Sequence, residues 1–167
     1  MTGKRKAGGF TFIEVMIAVA ILTILSCIAI ASYRDYSRRA SLTEVMMAIS
    51  QCKSTVSENY ATLTDAPDAG RWGCESSSSQ FRHVGSVQTS ADGVIRVAIR
   101  NLDRLVNDQY VHMVPVHSDG NTPMITPNDM GRSVVTWKCG SDWQPVRNSL
   151  PANCRNDTTT FASQDFN

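Results

Sequence analysis

The strongest pattern in the chain is an uninterrupted apolar stretch near its N-terminus. Residues 10–31 contain a single charged side chain, that of Glu14. A helix of about 20 apolar residues spans the roughly 30 Å hydrocarbon core of a bilayer, so this stretch predicts a membrane-spanning helix. A carboxylate is costly to place in hydrocarbon, which indicates a functional role for Glu14.

The helical pattern continues beyond residue 36 but becomes amphipathic. Apolar side chains recur at spacings that place them on one face of an α-helix, namely Leu42, Val45, Met46, Ile49, Cys52, Val56, Tyr60 and Leu63. Neither Gly nor Pro interrupts residues 10–66. We therefore predict one helix from about residue 10 to about residue 62, with an apolar half at 10–36 and an amphipathic half at 37–63.

The second part of the chain predicts short strands. Alternating apolar and polar residues indicate a strand at 93–100, and the apolar run at 110–116 indicates a second. A third is predicted at 133–140, where Val135, Trp137 and Cys139 share a face, and turns rich in Gly and Pro separate the strands. Residues 64–92 have too few apolar side chains in register for a regular element and are predicted to form a loop. An amphipathic helix covering an antiparallel sheet of three or four strands within residues 93–140 gives an α+β fold.

Composition and charge exclude several classes of function. The 167 residues include 16 basic and 15 acidic side chains, a formal net charge of +1, which does not indicate a general polyanion binder. The histidines at 83, 112 and 117 have no Glu at metal-ligand spacing near them, and no phosphate-binding loop or nucleophile elbow occurs. We therefore predict no enzymatic activity, no metal site and no cofactor.

Five cysteines bear on the compartment in which the chain folds. Cys27 lies in the apolar stretch and is interpreted as a small apolar side chain. The other four, Cys52, Cys74, Cys139 and Cys154, suit disulfide pairing in an oxidising compartment. Four cysteines allow three connectivities, which the residues alone do not separate.

The residues before the apolar stretch differ from an ordinary signal peptide. The first nine, MTGKRKAGG, contain three basic side chains and end in two glycines, whereas a secretory signal is cleaved after its apolar run. Gly9, Phe10, Thr11 and Glu14 follow the pattern G-F-T-x-x-E, and together with the basic leader this resembles the class III leader of type IV prepilins. The alternative is an ordinary signal anchor whose Glu14 reaches the lipid headgroups.

This resemblance implies roles for the N-terminal residues. Residues 1–9 would be the leader peptide, a prepilin peptidase in the inner membrane would cut between Gly9 and Phe10, and Phe10 would then be N-methylated. Glu14 would pair with the Phe10 amino group of a neighbouring subunit, because an ammonium and a carboxylate buried together offset each other's desolvation cost. The implied partners are further copies of the chain, the peptidase, the inner membrane and its pilus assembly machinery.

The C-terminal region resembles the same family. Residues 150–154, LPANC, are similar to the ending of type IVa major pilins, which carry a disulfide before the C-terminus. The resemblance implies a Cys139–Cys154 bond that closes a D-region at 139–154. Residues 155–167 after it are predicted to be an uncapped, mobile tail.

The resemblance also implies a type IV pilin fold for the whole chain. Its long N-terminal helix would pack on the antiparallel sheet, and residues 64–92 would be the αβ-loop. With Cys139 and Cys154 joined, Cys52 is left to pair with Cys74 and would tie the helix to that loop.

One departure from the family lies in the apolar half of the helix. Many type IVa pilins have a Gly and then a Pro there, and the matching positions are Thr23 and Ala31. Without proline no backbone hydrogen bond is necessarily lost. The usual basis for local unwinding on assembly is therefore missing.

The function implied is structural. A pilin would polymerise through its N-terminal helix into a surface filament for twitching motility, adhesion or DNA uptake. It would begin as a single-pass inner-membrane prepilin with a periplasmic C-terminal domain and end in the extracellular pilus, or fimbrium. One alternative is a minor pilin or type II secretion pseudopilin that primes or caps the filament, and another is a membrane-anchored binding module that never polymerises.

DNA is a further candidate partner with little support. Lys138, Arg147 and Arg155 lie in or beside the D-region, and Trp143 has a ring on which a base can stack. Scattered basic residues on a solvated surface are the commoner explanation of this pattern.

Overall fold

The computed structural model describes residues 9–77 and 81–166. The chain divides into two compact units, Met1–Ser37 and Arg38–Asn167, which we describe separately. Residues 1–8 of the predicted leader lie outside the described residues.

The predicted long helix is confirmed as α1, Phe12–Thr62. It begins where the Thr11 carbonyl accepts hydrogen bonds from the Glu14 and Val15 amides, at 3.1 and 3.3 Å. The absence of Gly and Pro from residues 10–66 removes the usual causes of a break over this length. By length and composition α1 can cross a membrane, and its most apolar 18-residue window has no buried residue.

The second unit contains one five-stranded sheet in the order β1-β2-β3-β4-β5. The first four strands pair antiparallel and β5 pairs parallel to β4. Their bounds are Val84–Thr89, Ile95–Ile99, Tyr110–Val116, Thr136–Ser141 and Asn156–Asp157. The strands predicted at 93–100, 110–116 and 133–140 correspond to β2, β3 and β4.

Strand β1 corrects the prediction that residues 64–92 lack a regular element. The two apolar residues of β1, Val84 and Val87, are both buried although they stand three positions apart. The pairing with β2 shifts register between them, so an irregularity brings both valines to the core side. Because the two valines are three residues apart, the sequence of β1 lacks the alternation with period two that is typical of a strand.

The main core lies between the amphipathic part of α1 and one face of the sheet, which we call the inner face. The helix contributes Leu42, Val45, Ala48, Ile49, Cys52, Val56 and Tyr60. The sheet contributes Ile95, Val97, Ile99, Val111, Met113 and Cys139. The predicted helix face is therefore largely correct. Leu63 differs because it follows the end of α1 and is 39% exposed.

The last residues of the chain correct the prediction of a mobile tail. They contain β5 and a short helix, α3 (Thr159–Ala162), and Phe166 is 7% exposed. Phe166 packs with Val94, Val114 and Val116 in a second apolar cluster, with Phe161 beside it. Two phenylalanines in an otherwise polar segment therefore fix it to the domain.

We predict that Gly140→Ala destabilises the domain by displacing β5. A methyl group at Gly140 would overlap the backbone of Asn156, its partner in the parallel pairing of β4 with β5. Overpacking against fixed backbone costs about 2 kcal/mol, and we expect a loss of that size in the free energy of unfolding. Urea unfolding of the full chain in detergent micelles measures it.

The control is Gly85→Ala in β1. A methyl group there meets no atom closer than the Ala98 Cβ at 3.3 Å, so the neighbouring side chain needs to move by only a few tenths of an ångström. Equal losses for the two variants would show that the close approach of Asn156 to Gly140 does not govern the stability of this region.

Candidate assembly site

The predicted cleavage and methylation residues stand before the first turn of α1. Gly9 and Phe10 are exposed and lie outside any helix or strand. A Cβ atom at Gly9 would meet nothing within 4 Å, and Phe10 is 77% exposed. An irregular, exposed backbone is the form in which a peptidase can bind a chain.

Glu14 lies in the first turn of α1 and is exposed. The Thr11 hydroxyl donates a long hydrogen bond of 3.5 Å to its Oε2. The helix dipole favours a carboxylate at this position. Within residues 9–77 and 81–166 no basic side chain forms an ion pair with Glu14, so its charge is open to an incoming ammonium group.

Two disulfides lie in the second unit. Cys52 in α1 is joined to Cys74, with Cα atoms 5.0 Å apart, and Cys139 in β4 is joined to Cys154, with Cα atoms 4.4 Å apart. This is the connectivity that the family resemblance implies. Cys27, in the other unit, is a free and exposed thiol.

The segment tied down by Cys74 is organised around Trp72, which sequence reasoning did not single out. Trp72 is 1% exposed, and its ring centre lies 5.2 Å from that of Tyr60. The Trp72 indole N–H donates to the Ser90 carbonyl at 2.9 Å, and the Tyr60 hydroxyl donates to the Asp92 carbonyl at 2.8 Å. Burial raises the pKa of Tyr60, so this hydroxyl stays a donor throughout the physiological range.

Glu75 fixes the turn beside Trp72. Its carboxylate accepts the Trp72 and Gly73 amides at 2.7 and 2.8 Å, and it also accepts the Thr89 hydroxyl. Burial alone raises the pKa of Glu75, but these hydrogen bonds together lower it below its ordinary value. The carboxylate therefore acts as a structural anchor that stays ionised.

The D-region folds into a short helix, α2 (Gln144–Ser149), and a 3₁₀ turn that ends at Cys154. Arg147 Nη1 lies 2.9 Å from Asp157 Oδ2 and donates to the Ser141 carbonyl at 3.1 Å. Arg155 Nε donates to the Leu150 carbonyl at 2.8 Å. Two of the three basic residues named as DNA candidates therefore hold the D-region together.

Trp143 lies within the D-region, just before α2, and is 47% exposed. Its indole N–H donates to the Leu105 carbonyl at 3.0 Å, which ties the D-region to the turn after β2. Leu105 is also exposed.

No catalytic constellation emerges from the described part of the chain. His117 Nε2 lies 3.3 Å from Asp129 Oδ2, and Arg132 pairs with the same carboxylate at 3.3 Å. Among the described residues no group of three or more His, Cys, Asp or Glu side chains could hold a metal ion.

Comparison with known proteins covers both parts of the chain. Residues 38–155 match the model of the pilin family of bacterial filaments, and residues 4–30 match the prokaryotic N-terminal methylation motif. The chain is similar to the type IV major pilin protein PilE of Neisseria gonorrhoeae, with 29% identity over 158 residues that cover 89% of this chain and 94% of the relative.

Two other relatives give the same result. A fimbrial protein of Neisseria meningitidis serogroup A is 30% identical over 156 residues, 91% of this chain and 78% of the relative. The fimbrial protein EcpC of Eikenella corrodens is 28% identical over 167 residues, 93% of this chain and 95% of the relative.

Pilins are structural proteins, which confirms the prediction that the chain is not an enzyme. The resemblance of the leader, the long helix and the C-terminal disulfide is thus confirmed, and the chain belongs to the pilin family of bacterial filament subunits.

Proposed function

We propose that this chain is the major, polymerising subunit of a type IV pilus. The observation that carries the proposal is the apolar half of α1, whose side chains are exposed on every side and whose first turn holds a single carboxylate, Glu14. Such a surface is stable only in a bilayer or against copies of itself. A contact that repeats without closing then produces a filament.

The chemistry of assembly follows from the two N-terminal groups. Cleavage between Gly9 and Phe10 by prepilin peptidase creates an α-amino group, which is then N-methylated. In the filament this ammonium pairs with Glu14 of a neighbouring copy. Each charge alone is costly to bury, and pairing offsets the desolvation cost of both. A misplaced subunit would leave both charges unpaired and is therefore disfavoured.

The same segment supports a proposed route for the protein from the membrane to the filament. The apolar helix anchors the precursor in the inner membrane, with the C-terminal unit in the periplasm. The two disulfides suit that oxidising compartment. Transfer to the filament exchanges lipid for neighbouring apolar helices around α1.

The apolar half of α1 stays helical in the filament under this proposal. The hydroxyls of Thr23 and Ser26 donate to the Val19 and Leu22 carbonyls at 2.8 and 2.7 Å, within a helix that Ala31 continues. No proline removes a backbone hydrogen bond here.

Adhesion and twitching motility are the surface activities that we assign to the filament. The D-region offers an exposed aromatic, Trp143, beside the exposed Leu105. Protein contact is favoured there over DNA, because Arg147 and Arg155 are engaged within the chain.

We predict that Glu14→Ala abolishes filament assembly without blocking cleavage of the leader. The variant leaves the Phe10 ammonium of each neighbour unpaired, and we expect at least a ten-fold loss of this chain from sheared filaments, since an unpaired buried charge costs several kcal/mol. Immunoblots of sheared and membrane fractions from producing cells measure the loss.

The matched control is Thr23→Ala, which removes a polar group from the same helix but no charge. It should assemble normally. Normal assembly of Glu14→Ala would instead favour a membrane-anchored module that does not polymerise.

We also predict the mass of the main protein in filaments sheared from producing cells. It should equal the chain from Phe10 to its C-terminus plus one methyl group. Reduction should add the mass of four hydrogens, two for each disulfide. Intact-mass spectrometry with and without reduction makes the measurement.

The abundance of the chain in that sample separates the alternatives. A main band of another composition, with this chain at trace level, would identify a minor pilin that primes or caps the filament. An intact leader on the assembled protein would overturn the assigned cleavage between Gly9 and Phe10.

A further inference from the structure

A polar row crosses the face of the sheet opposite the inner face, which we call the outer face. Cross-strand pairing places Gln88, Arg96, His112, Gly140 and Asn156 side by side, one from each of the five strands. Side chains alternate along a strand, so this row points away from the main core.

His112, at the centre of the row, is completely buried. Its Nδ1 lies 3.1 Å from the Thr158 hydroxyl. Its Nε2 has no hydrogen-bond partner among the described residues. Protonation would place a positive charge in this buried site, together with an Nε2–H that has no acceptor among the described residues.

The C-terminal residues 158–166, which we call the clasp, cover this histidine. Phe166 places its ring centre 6.2 Å from that of His112 and 4.0 Å from the Arg96 guanidinium. The Arg96 guanidinium carbon also lies 4.6 Å from the centre of the Tyr110 ring. Arg96 is held in place by Gln88, whose Oε1 accepts its Nε and Nη2 at 3.2 and 2.9 Å.

The clasp is held against the outer face by noncovalent contacts. The last disulfide of the chain ends at Cys154, so no cross-link holds the residues after it. The apolar contacts of Phe166 are with Val94, Val114 and Val116, and its backbone pairs with Ser90 in an isolated bridge. The contacts of the clasp are thus separate from the main core, to which both disulfides attach.

We propose that the clasp is an acid-released cover: protonation of His112 detaches residues 158–166 from the outer face while the disulfide-linked core stays folded. Detachment admits water to the imidazolium and separates Phe166 from the Arg96 guanidinium. It exposes the apolar strip of Val94, Val114 and Val116.

The charged groups around His112 favour this outcome. Arg96 approaches from β2 and repels a second positive charge, and Tyr110 on β3 lies against the same guanidinium. Asp142, after β4, attracts the imidazolium but forms no hydrogen bond with it. Asp157 of β5 is already paired with Arg147 at 2.9 Å.

The titration of His112 sets the pH window. Burial lowers the pKa of His112 to about 4, Asp142 raises it by less, and Arg96 lowers it further. A solvated imidazole has a pKa of about 6.5. Between these values the detached form binds a proton that the docked form excludes, so docking weakens as the pH falls from about 6.5 to about 4 and does not change above that window.

Hydrogen exchange of the mature full chain in detergent micelles tests the proposal. After correction for intrinsic exchange rates, amide protection in residues 158–166 should fall by roughly a hundred-fold between pH 7 and pH 4.5, as two pKa units imply. Protection in the buried part of α1 should stay unchanged. A clasp that remains protected at pH 4.5 would overturn the proposal.

Variants separate His112 from other acid effects. His112→Gln should make clasp protection independent of pH, and Phe166→Ala should open the clasp at pH 7. His117→Gln is the matched control. His117 lies directly after β3 and contacts Asp129 instead of the clasp, so this variant should leave the transition intact. A transition that persists in His112→Gln contradicts the role of His112.

A direct titration keeps the proposal testable if His112→Gln does not fold. The ring protons of His112 in the unmodified chain, followed by NMR, should titrate at the same midpoint as the loss of clasp protection. Midpoints that differ by more than one pH unit would show that another group controls the clasp.

Discussion

The second unit depends on the packing of one helix face against the inner face of the sheet. Seven buried side chains between Leu42 and Tyr60 supply the helix side of this contact. Both disulfides attach to it, because Cys52 belongs to the helix face and Cys139 to the facing strand. The disulfides therefore restrict segments that the core already positions. One disulfide attaches the αβ segment around Trp72 to this core, and the other attaches the D-region around Trp143.

The apolar half of α1 obeys the opposite constraint. It presents apolar side chains in every direction, so it has no inner face and requires a surrounding apolar phase. In that phase a single carboxylate becomes decisive, because the cost of burying Glu14 depends on whether a positive charge is available. One helix thus combines a stretch that folds against its own chain and a stretch whose partners, under the proposed function, are other copies.

The accuracy of the sequence predictions follows the regularity of the pattern. The amphipathic part of α1 and strand β2, Ile95–Ile99, have clear periods, and the predictions for them are correct. Strand β1 was missed because its register shift puts Val84 and Val87 on the same side three residues apart. The tail has no capping signal, which predicts mobility, and its two separate phenylalanines form no periodic pattern that would indicate an ordered element. Contacts between segments distant in sequence, such as Phe166 with Arg96, leave no local signal. In the candidate assembly site, Gly9, Phe10 and Glu14 are recognisable only through a motif, since a periodicity does not reveal the proposed cleavage site.

The two faces of the sheet differ in what holds them, and this difference has a physical consequence. The inner face combines apolar burial with two covalent bonds, so its opening requires unfolding of the domain. The outer face is covered by a segment beyond the last disulfide and contains a buried histidine with one unpaired nitrogen. Buried polar groups without partners lower local stability, and local opening takes place where stability is lowest. Under the proposed release of the clasp, the surface of the outer face changes while the core and the D-region remain as they are.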